Sequence, residues 1–358
     1  MSQLKAYNRS NQPLKNKAVK HVFVAGIGAV GGTLIKQVQN ELKSSALELI
    51  GICNSKHVIW KEPGSKLSPE NLPAGSAIDW NQIIEKCSSY NGEKVIFVDT
   101  TGSSEVADLY PSFLKNKIHI VTPSKLANSG NQSTFDELRY LADANGVDFL
   151  YETNVGAGLP IIKAVSNFTQ TGDSIIEING VLSGTMTYLF SELDKGEPFS
   201  KSVIKARTLG YAEPDPRDDL SGEDVVRKFM ILARTAGFKV ERSDVAVESL
   251  IPKELQQVDS TTFLEKLPDY DNSWKQKIEK ATKSGKKLRY VGTFKEGKIT
   301  IRVESVDKSS PIGQLKGTNN LVTIRTERYN EQPLIIQGPG AGKKVTAAGV
   351  LSDLLSIE

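Results

Sequence analysis

Cysteine is nearly absent: the chain has 358 residues and two cysteines, Cys53 and Cys87, too far apart for a CxxC pair. That excludes a thiol redox motif and a cysteine-built metal site, and it points to a reducing compartment. Histidine is almost as rare. His21, His57 and His119 are scattered, at no spacing that would hold a transition metal. No apolar run approaches the roughly 20 residues that cross a bilayer. The opening stretch, MSQLKAYNRSNQPLKNKAVK, also lacks the apolar segment of a signal peptide, so residues 1–19 read as a mobile tail and the chain as cytoplasmic. Neither sign of charge dominates: 45 Lys and Arg face 42 Asp and Glu, a net charge of +3. With no basic run interleaved with aromatics, nucleic acid is excluded as a partner, and a membrane is excluded with it. What remains is an ordinary globular composition, 39% hydrophobic, in a chain too long for one simple core. Two domains are expected.

Apolar runs alternate with helical spacing over the first 150 residues. HVFVA (21–25) breaks into GIGAVGG and then TLIKQVQNELKSS, whose apolar residues recur at helical intervals. LELIGIC (47–53), VIFVDTT (95–101), IHIVTPS (118–124) and VDFLYET (147–153) read as further strands, with helices over SSEVADLYPSFLKNK and FDELRYLADANG. Strand–helix alternation predicts a doubly wound parallel sheet of the Rossmann type, an α/β fold. After Glu152 the pattern becomes helices over 186–240 and alternating strands over 288–326, which predicts a second, α+β domain. The final LIIQGPGAGKKVTAAGVLSDLLSIE reads as strand, glycine loop and helix returning to the first domain. The expected division is 20–151 plus 335–358 for the dinucleotide domain and 152–334 for substrate binding and dimerisation.

Gly26-x-Gly28-x-x-Gly31 follows the first strand and opens a helix. In that setting one glycine allows the tight turn, one lets the backbone approach a pyrophosphate, and one lets helix and strand pack closely. The helix N-terminus adds a positive dipole end for the phosphates. At the end of the second strand, where an acid would bind the ribose 2′-hydroxyl, the chain has Asn54-Ser55-Lys56. Nothing there repels a 2′-phosphate, so NADP is favoured, with NAD also open. Lys56 could equally be a solvated loop lysine. GPGAGKKV (338–345) imitates a nucleoside-triphosphate loop and fails the test, because Gln337 stands where the first glycine is required and Lys344 where the hydroxyl is required.

The stretch GYAEPDPRDDLSGEDVVRKFMILARTAG carries the densest chemistry. EPDPRDDL, with two prolines and four acids, reads as a rigid charged loop, and Ser221 as the cap of the next helix. Asp224 and Lys228 are four apart, on one face of that helix, and Lys228 borders the stripe formed by Val225, Val226, Phe229, Leu232 and Ala233. An arbitrary pair of this kind is a surface ion pair worth about 0.3–0.5 kcal/mol. The acidic loop beside it, and a second lysine, Lys125, at the carboxyl edge of the parallel sheet, favour a site instead. Oxidation of an alcohol by hydride transfer needs a held nicotinamide, a proton acceptor, a group to steady the alkoxide, and carboxylates for a substrate amine. Two lysines and several acids meet those needs without zinc.

Together GIGAVGG, CNSK, VDTTGSSEVAD, VTPSKLAN, LYETNVGAGLP, VLSGTMTYLF, GYAEPDPRDDLSGEDVVRK and GAGKKVTAAGVLSDLL resemble homoserine dehydrogenase, most closely the C-terminal half of the bacterial bifunctional aspartokinase–homoserine dehydrogenases. The blocks lie in family order from about residue 20 to the end. No kinase portion or ACT-type regulatory domain is legible, so direct control by threonine through such a domain is not expected. The resemblance implies interconversion of L-homoserine and L-aspartate 4-semialdehyde on the route to threonine, methionine and isoleucine. It implies that Gly26, Gly28, Ala29, Val30 and Gly31 form the pyrophosphate loop, and that Thr100, Thr101 and Gly342 contact the cofactor. Lys125 reaches cofactor and substrate, Glu213 binds the substrate amino group, Asp224 is the site aspartate, and Lys228 is the proton donor and acceptor. Glu152, Val155, Ala157 and Leu159 match a sodium site built largely from carbonyl oxygens, and a homodimer is implied. The chain departs from the pattern at Gly102, often Ser in the family, at Leu126, often a second lysine, and at Pro339. Two other readings stay open: another amino-acid dehydrogenase on the same scaffold, such as an aspartate dehydrogenase, and a non-catalytic NADP-binding sensor.

Overall fold

The computed structural model describes residues 19–42, 46–90 and 93–358. Except for Val19, the expected tail lies outside them. The first domain runs β1 (Lys20–Ala25), α1 (Ala29–Lys36), β2 (Leu47–Cys53), β3 (His57–Trp60), β4 (Ser76–Ala77), α2 (Trp80–Ser88), β5 (Lys94–Asp99), α3 (Ser104–Ala107), α4 (Tyr110–Lys115), β6 (His119–Val121), α5 (Leu126–Ser129), α6 (Gln132–Asn145) and β7 (Phe149–Leu150). The strand order is β4-β3-β2-β1-β5-β6-β7. Pairing is parallel from β2 through β7, as the alternation predicts, but β3 and β4 add an antiparallel edge. These two strands are too short to carry a legible pattern.

Side chains alternate across the central strand and build a core on each face. Val22 and Val24 of β1 pack with Leu34 and Ile35 of α1, and Phe23 and Ala25 pack with residues of α2, α4 and α6. The single helix expected over 103–117 is broken into α3 and α4, with Pro111 in the first turn of α4, where its missing N–H costs nothing.

The second domain contains α7 (Ile161–Gln170), β8 (Ile175–Val181), α8 (Gly184–Leu193), α9 (Phe199–Thr208), α10 (Arg217–Leu220), α11 (Glu223–Thr235), β9 (Val245–Val247), α12 (Ser260–Lys266), α13 (Asp271–Lys283), β10 (Lys286–Lys295), β11 (Lys298–Asp307), α14 (Pro311–Gln314), β12 (Asn319–Thr326) and β13 (Leu334–Pro339). Its sheet has the order β13-β12-β8-β10-β11-β9 and is antiparallel apart from β9. The stripe of α11 that the sequence marks is buried in this domain's core.

The chain returns to the first domain through α15 (Lys343–Ser356), whose Ala347, Val350 and Leu354 join the core beneath α1. The return begins later than residue 335. β13 pairs with β12 as far as Pro339, so 335–339 belong to the second sheet. A strand followed by a glycine loop looks alike in either domain, and only the pairing partner tells them apart.

Candidate active site

α11 carries the central pair, and its start differs from expectation. The cap position is Gly222, at φ +79, where a Cβ would lie 2.1 Å from the Tyr290 hydroxyl. Only glycine fits there. Ser221 still contributes, since its hydroxyl accepts the Glu223 N–H at 3.3 Å. EPDPRDDL is also not wholly loop: Arg217–Leu220 forms one helical turn, with Pro216 just before it. Proline fixes a φ suited to a helix start, which is why acids and prolines are tolerated there.

From α11 the Lys228 amine meets Asp224 Oδ2 at 2.7 Å and donates to the Leu182 carbonyl at 2.7 Å. The other Asp224 oxygen faces Lys125 Nζ at 3.4 Å. Lys125 comes from the first domain, at the head of α5. A seam of cross-domain hydrogen bonds holds it in place: Arg234 to the Asn128 carbonyl at 2.9 Å, Asn128 to the Asn154 side chain at 2.9 Å, and Asn154 to the Thr122 carbonyl at 2.8 Å. Burial pushes the Asp224 carboxyl up, but the charges of Lys228 and Lys125 outweigh it and hold the group well below the ordinary carboxylate range.

The triad opens on a cavity of about 730 Å³ at the domain junction, lined also by Glu213, Arg227, Val30 and the Gly340–Gly342 loop. Lys125, Glu213, Asp224, Lys228, Val30, Ala157 and Gly342 are thus brought together, although they are scattered along more than 300 positions. Asp219 has a part that the sequence hides. It accepts the Glu213 N–H at 2.8 Å and the Thr185 hydroxyl at 2.9 Å, which fixes the loop that carries Glu213. Nothing in the acidic run distinguishes it from its neighbours.

The remaining predicted cofactor residues lie outside that cavity's lining, at the carboxyl edge of the first sheet. Gly26 donates to the Cys53 carbonyl at 2.9 Å, and the Thr100 hydroxyl donates to the Gly26 carbonyl at 2.8 Å. A Cβ on Gly31 would sit 2.0 Å from that carbonyl oxygen, whereas one on Gly28 would meet nothing within 4 Å among the described residues. One glycine therefore serves close packing, and the other leaves an open approach to the helix N-terminus, as a pyrophosphate requires. Asn54 uses its side-chain carbonyl to accept the Lys56 and His57 N–H groups at 2.8 and 2.7 Å, while Ser55 and Lys56 are exposed. Thr101 donates through its N–H and its hydroxyl to Asp99, at 2.7 and 2.6 Å. Burial pushes the Cys53 and Cys87 thiols up to about 12, so neither is poised as a nucleophile.

Glu152 sits apart, buried beside Asp353 in a separate cavity of about 380 Å³. Its two carboxylate oxygens accept the Ile162 and Lys163 N–H groups at the start of α7, at 2.8 and 2.9 Å. Burial pushes this carboxyl up to about 7. Those oxygens are committed to the helix end, so an ion at this turn would rest on main-chain carbonyls. Among the described residues no group of three or more His, Cys, Asp or Glu is placed to hold a metal, and no helix is long and apolar enough to cross a membrane.

Two family models match in chain order: the homoserine dehydrogenase NAD binding domain over residues 26–152 and homoserine dehydrogenase over residues 160–355. The bifunctional aspartokinase/homoserine dehydrogenase of Haemophilus influenzae is 39% identical over 98% of this chain and 44% of its own length. The chain thus spans less than half of that bifunctional relative. The homoserine dehydrogenase of Saccharomyces cerevisiae is 37% identical over 95% of this chain and 98% of its own. A crystal structure of a Candida auris protein of unknown function superposes with a TM-score of 0.87 at 38% identity, covering 94% of this chain and 97% of that one. Both halves of the family pattern are therefore present, joined in the same order, on a chain that a single-function relative matches almost end to end, and this chain belongs to the homoserine dehydrogenase family.

Proposed function

We propose that the protein is an NAD(P)-dependent homoserine dehydrogenase, interconverting L-homoserine and L-aspartate 4-semialdehyde in the aspartate pathway. One observation carries the reading: amines from two domains, Lys125 and Lys228, share the Asp224 carboxylate at the edge of a cavity lined also by Val30 of α1 and the Gly340–Gly342 loop. The dinucleotide, when bound, supplies or takes up the hydride at C4 of the substrate. The chain does the rest. Gly26, Gly28 and the start of α1 hold the phosphates, with Ala29, Val30, Gly31, Thr100, Thr101 and Gly342 around them. Exposed Ser55 and Lys56 favour a 2′-phosphate and so NADP, with NAD as second choice. Glu213 takes the substrate ammonium on a loop that Asp219 fixes.

Lys228 moves the proton. Its Nζ is held by two acceptors, Asp224 and the Leu182 carbonyl, and lines the cavity, where it, or a water it positions, protonates the substrate oxygen in reduction and deprotonates it in oxidation. Lys125 steadies charge on that oxygen from the opposite domain. A monovalent ion, sodium, at the Glu152–Leu159 turn belongs to the same reading through the carbonyls of Val155, Ala157 and Leu159. The left-handed backbone at Gly156 (φ +76) and Ala157 (φ +55) supports it, and no step passes through it. A homodimer and a cytoplasmic setting complete the proposal.

The test is direct. Purified protein mixed with L-homoserine and NADP or NAD is expected to produce reduced nicotinamide, read by absorbance, and in reverse to consume aspartate 4-semialdehyde. Dinucleotide binding without either turnover would favour the sensor. Turnover of aspartate alone would favour the aspartate dehydrogenase.

A further inference from the structure

Asn320 is fully buried, and among the described residues neither its carboxamide nitrogen nor its oxygen has a hydrogen-bond partner. An amide buried without partners gives up the hydrogen bonds it made to water in the unfolded chain, so a folded chain rarely keeps one where an apolar residue would serve. Its location gives it a use. Asn320 lies on β12 opposite Gly338 of β13, and the chain turns out of β13 directly above it into Gly340–Gly342. A Cβ on Gly340 would lie 2.0 Å from the Asn320 Cγ, 2.1 Å from its nitrogen and 2.2 Å from its oxygen. The backbone of that loop therefore rests on the face of the carboxamide. The same loop lines the cavity with Val30 and joins the second domain's sheet to α15, the helix packed on α1.

We propose that Asn320 is a positioning residue for the dinucleotide: its carboxamide donates to and accepts from the peptide groups of Gly340–Gly342 in the arrangement that loop adopts around the bound dinucleotide. This rests on the reading of Gly342 as a cofactor contact. The unliganded protein carries the unpaired amide as a cost, and binding relieves it. The loop links the two domains, so the same bonds hold α15 and β13 in the relation that the bound state needs. Asn320 touches neither substrate nor reacting atoms, and its effect is transmitted through the loop alone.

The experiment compares wild type with Asn320→Leu and Asn320→Ala by calorimetric titration of NADP and by thermal melts with and without it. Leucine keeps the heavy-atom count and branching of asparagine, with bulkier methyl groups in place of the flat amide, and leaves nothing unpaired; alanine leaves nothing unpaired and adds no bulk. Asn320→Leu is expected to melt at or above the wild-type temperature without dinucleotide, yet to bind NADP about tenfold more weakly, the loss of roughly one good hydrogen bond or two modest ones. L-homoserine KM at saturating NADP is expected to stay within about twofold, because the loop is then held by mass action. A residue with a purely structural role would show the reverse, a lower melting temperature and unchanged affinity, and that result overturns the proposal. Should Asn320→Leu fail to fold, Asn320→Ala and Asn320→Asp decide by affinity alone, and wild-type affinity in both overturns it. Wild-type protein that binds NADP and turns over homoserine, with affinity independent of residue 320, sinks only this inference. Wild-type protein that binds no dinucleotide sinks the functional reading as well.

Discussion

Among the described residues two carboxylates are each held between two lysines, and the two triads are built inside out relative to one another. Glu192 on α8 is buried, with 4% of its side chain exposed, and its partners Lys195 and Lys205 lie at 2.5 and 2.6 Å with 67% and 55% exposed. Asp224 is the more open member of its triad at 44%, while Lys125 and Lys228 are withdrawn to 28% and 11%. The carboxyl is held below its ordinary range in both. Hydrogen bonds from Lys195 and Lys205 do this for Glu192, and the charges of Lys228 and Lys125 do it for Asp224 against the desolvation of a carboxyl set within the cleft between the domains. Charge state therefore does not separate the triads; what the amines face does. The Lys195 and Lys205 amines face solvent, and Lys205 reaches from α9 to Glu192 on α8, so this cluster ties the two helices together. A withdrawn lysine with two fixed acceptors and a cavity beside it can exchange its proton with a ligand.

The sharpest way to break that contrast is to remove one amine from each triad. Lys228→Ala is expected to lower kcat for homoserine oxidation by about 10²–10⁴-fold, the range for a positioned acid–base group, with NADP affinity within about twofold of wild type. Lys205→Ala is expected to leave kcat within about twofold, since rim charges contribute little. Steady-state kinetics and a dinucleotide titration read both. Equal losses would mean that exposure does not distinguish a working lysine from a structural one. Next in size is Asp224→Asn, which keeps the shape and removes the charge that both amines share. A fall in kcat/KM for homoserine of about 10–100-fold is expected. An unchanged rate accompanied by a lower melting temperature would make Asp224 a clamp like Glu192.

The difference between the triads also shows what can be read from sequence. Gly26, Gly28 and Gly31, and Asp224 with Lys228, were legible because each set is local: the first by its place after a strand, the second by helical spacing. Lys125 was legible as a lysine at a sheet edge, and only the fold puts it 3.4 Å from Asp224. The Leu182 carbonyl that orients Lys228, the Asp219 carboxylate behind Glu213 and the Asn320 amide under Gly340 leave no trace in spacing, because their partners are distant in sequence or are backbone atoms. The fold errors share a cause. The edge strands β3 and β4 are too short for periodicity, β13 looks the same whichever sheet receives it, and Gly222 takes the cap from Ser221 because Tyr290, on a strand far along the chain, fills the space beside it. Local rules marked the candidate residues, and non-local packing sets how they meet.

The smallest expected effect concerns the structural triad, and it separates stability from catalysis. Glu192→Gln keeps one acceptor and loses the charge. At neutral pH the variant is expected to melt a few degrees below wild type, a modest loss because both lysines are well solvated. The sign of the pH dependence follows from the direction of the shift. The folded carboxyl is held below its ordinary value of 4.5, so the unfolded chain takes up its proton first as pH falls. The stabilisation is therefore fully present above about pH 4.5 and is lost as pH drops through the lower, folded value. The gap in melting temperature between wild type and Glu192→Gln should be constant from neutral pH down to that point and then close, while kcat at neutral pH stays unchanged. A gap that widens in acid would contradict the direction assigned to Glu192. A loss of turnover would tie this triad to the site, and the difference in burial between the two clusters would then carry no functional meaning.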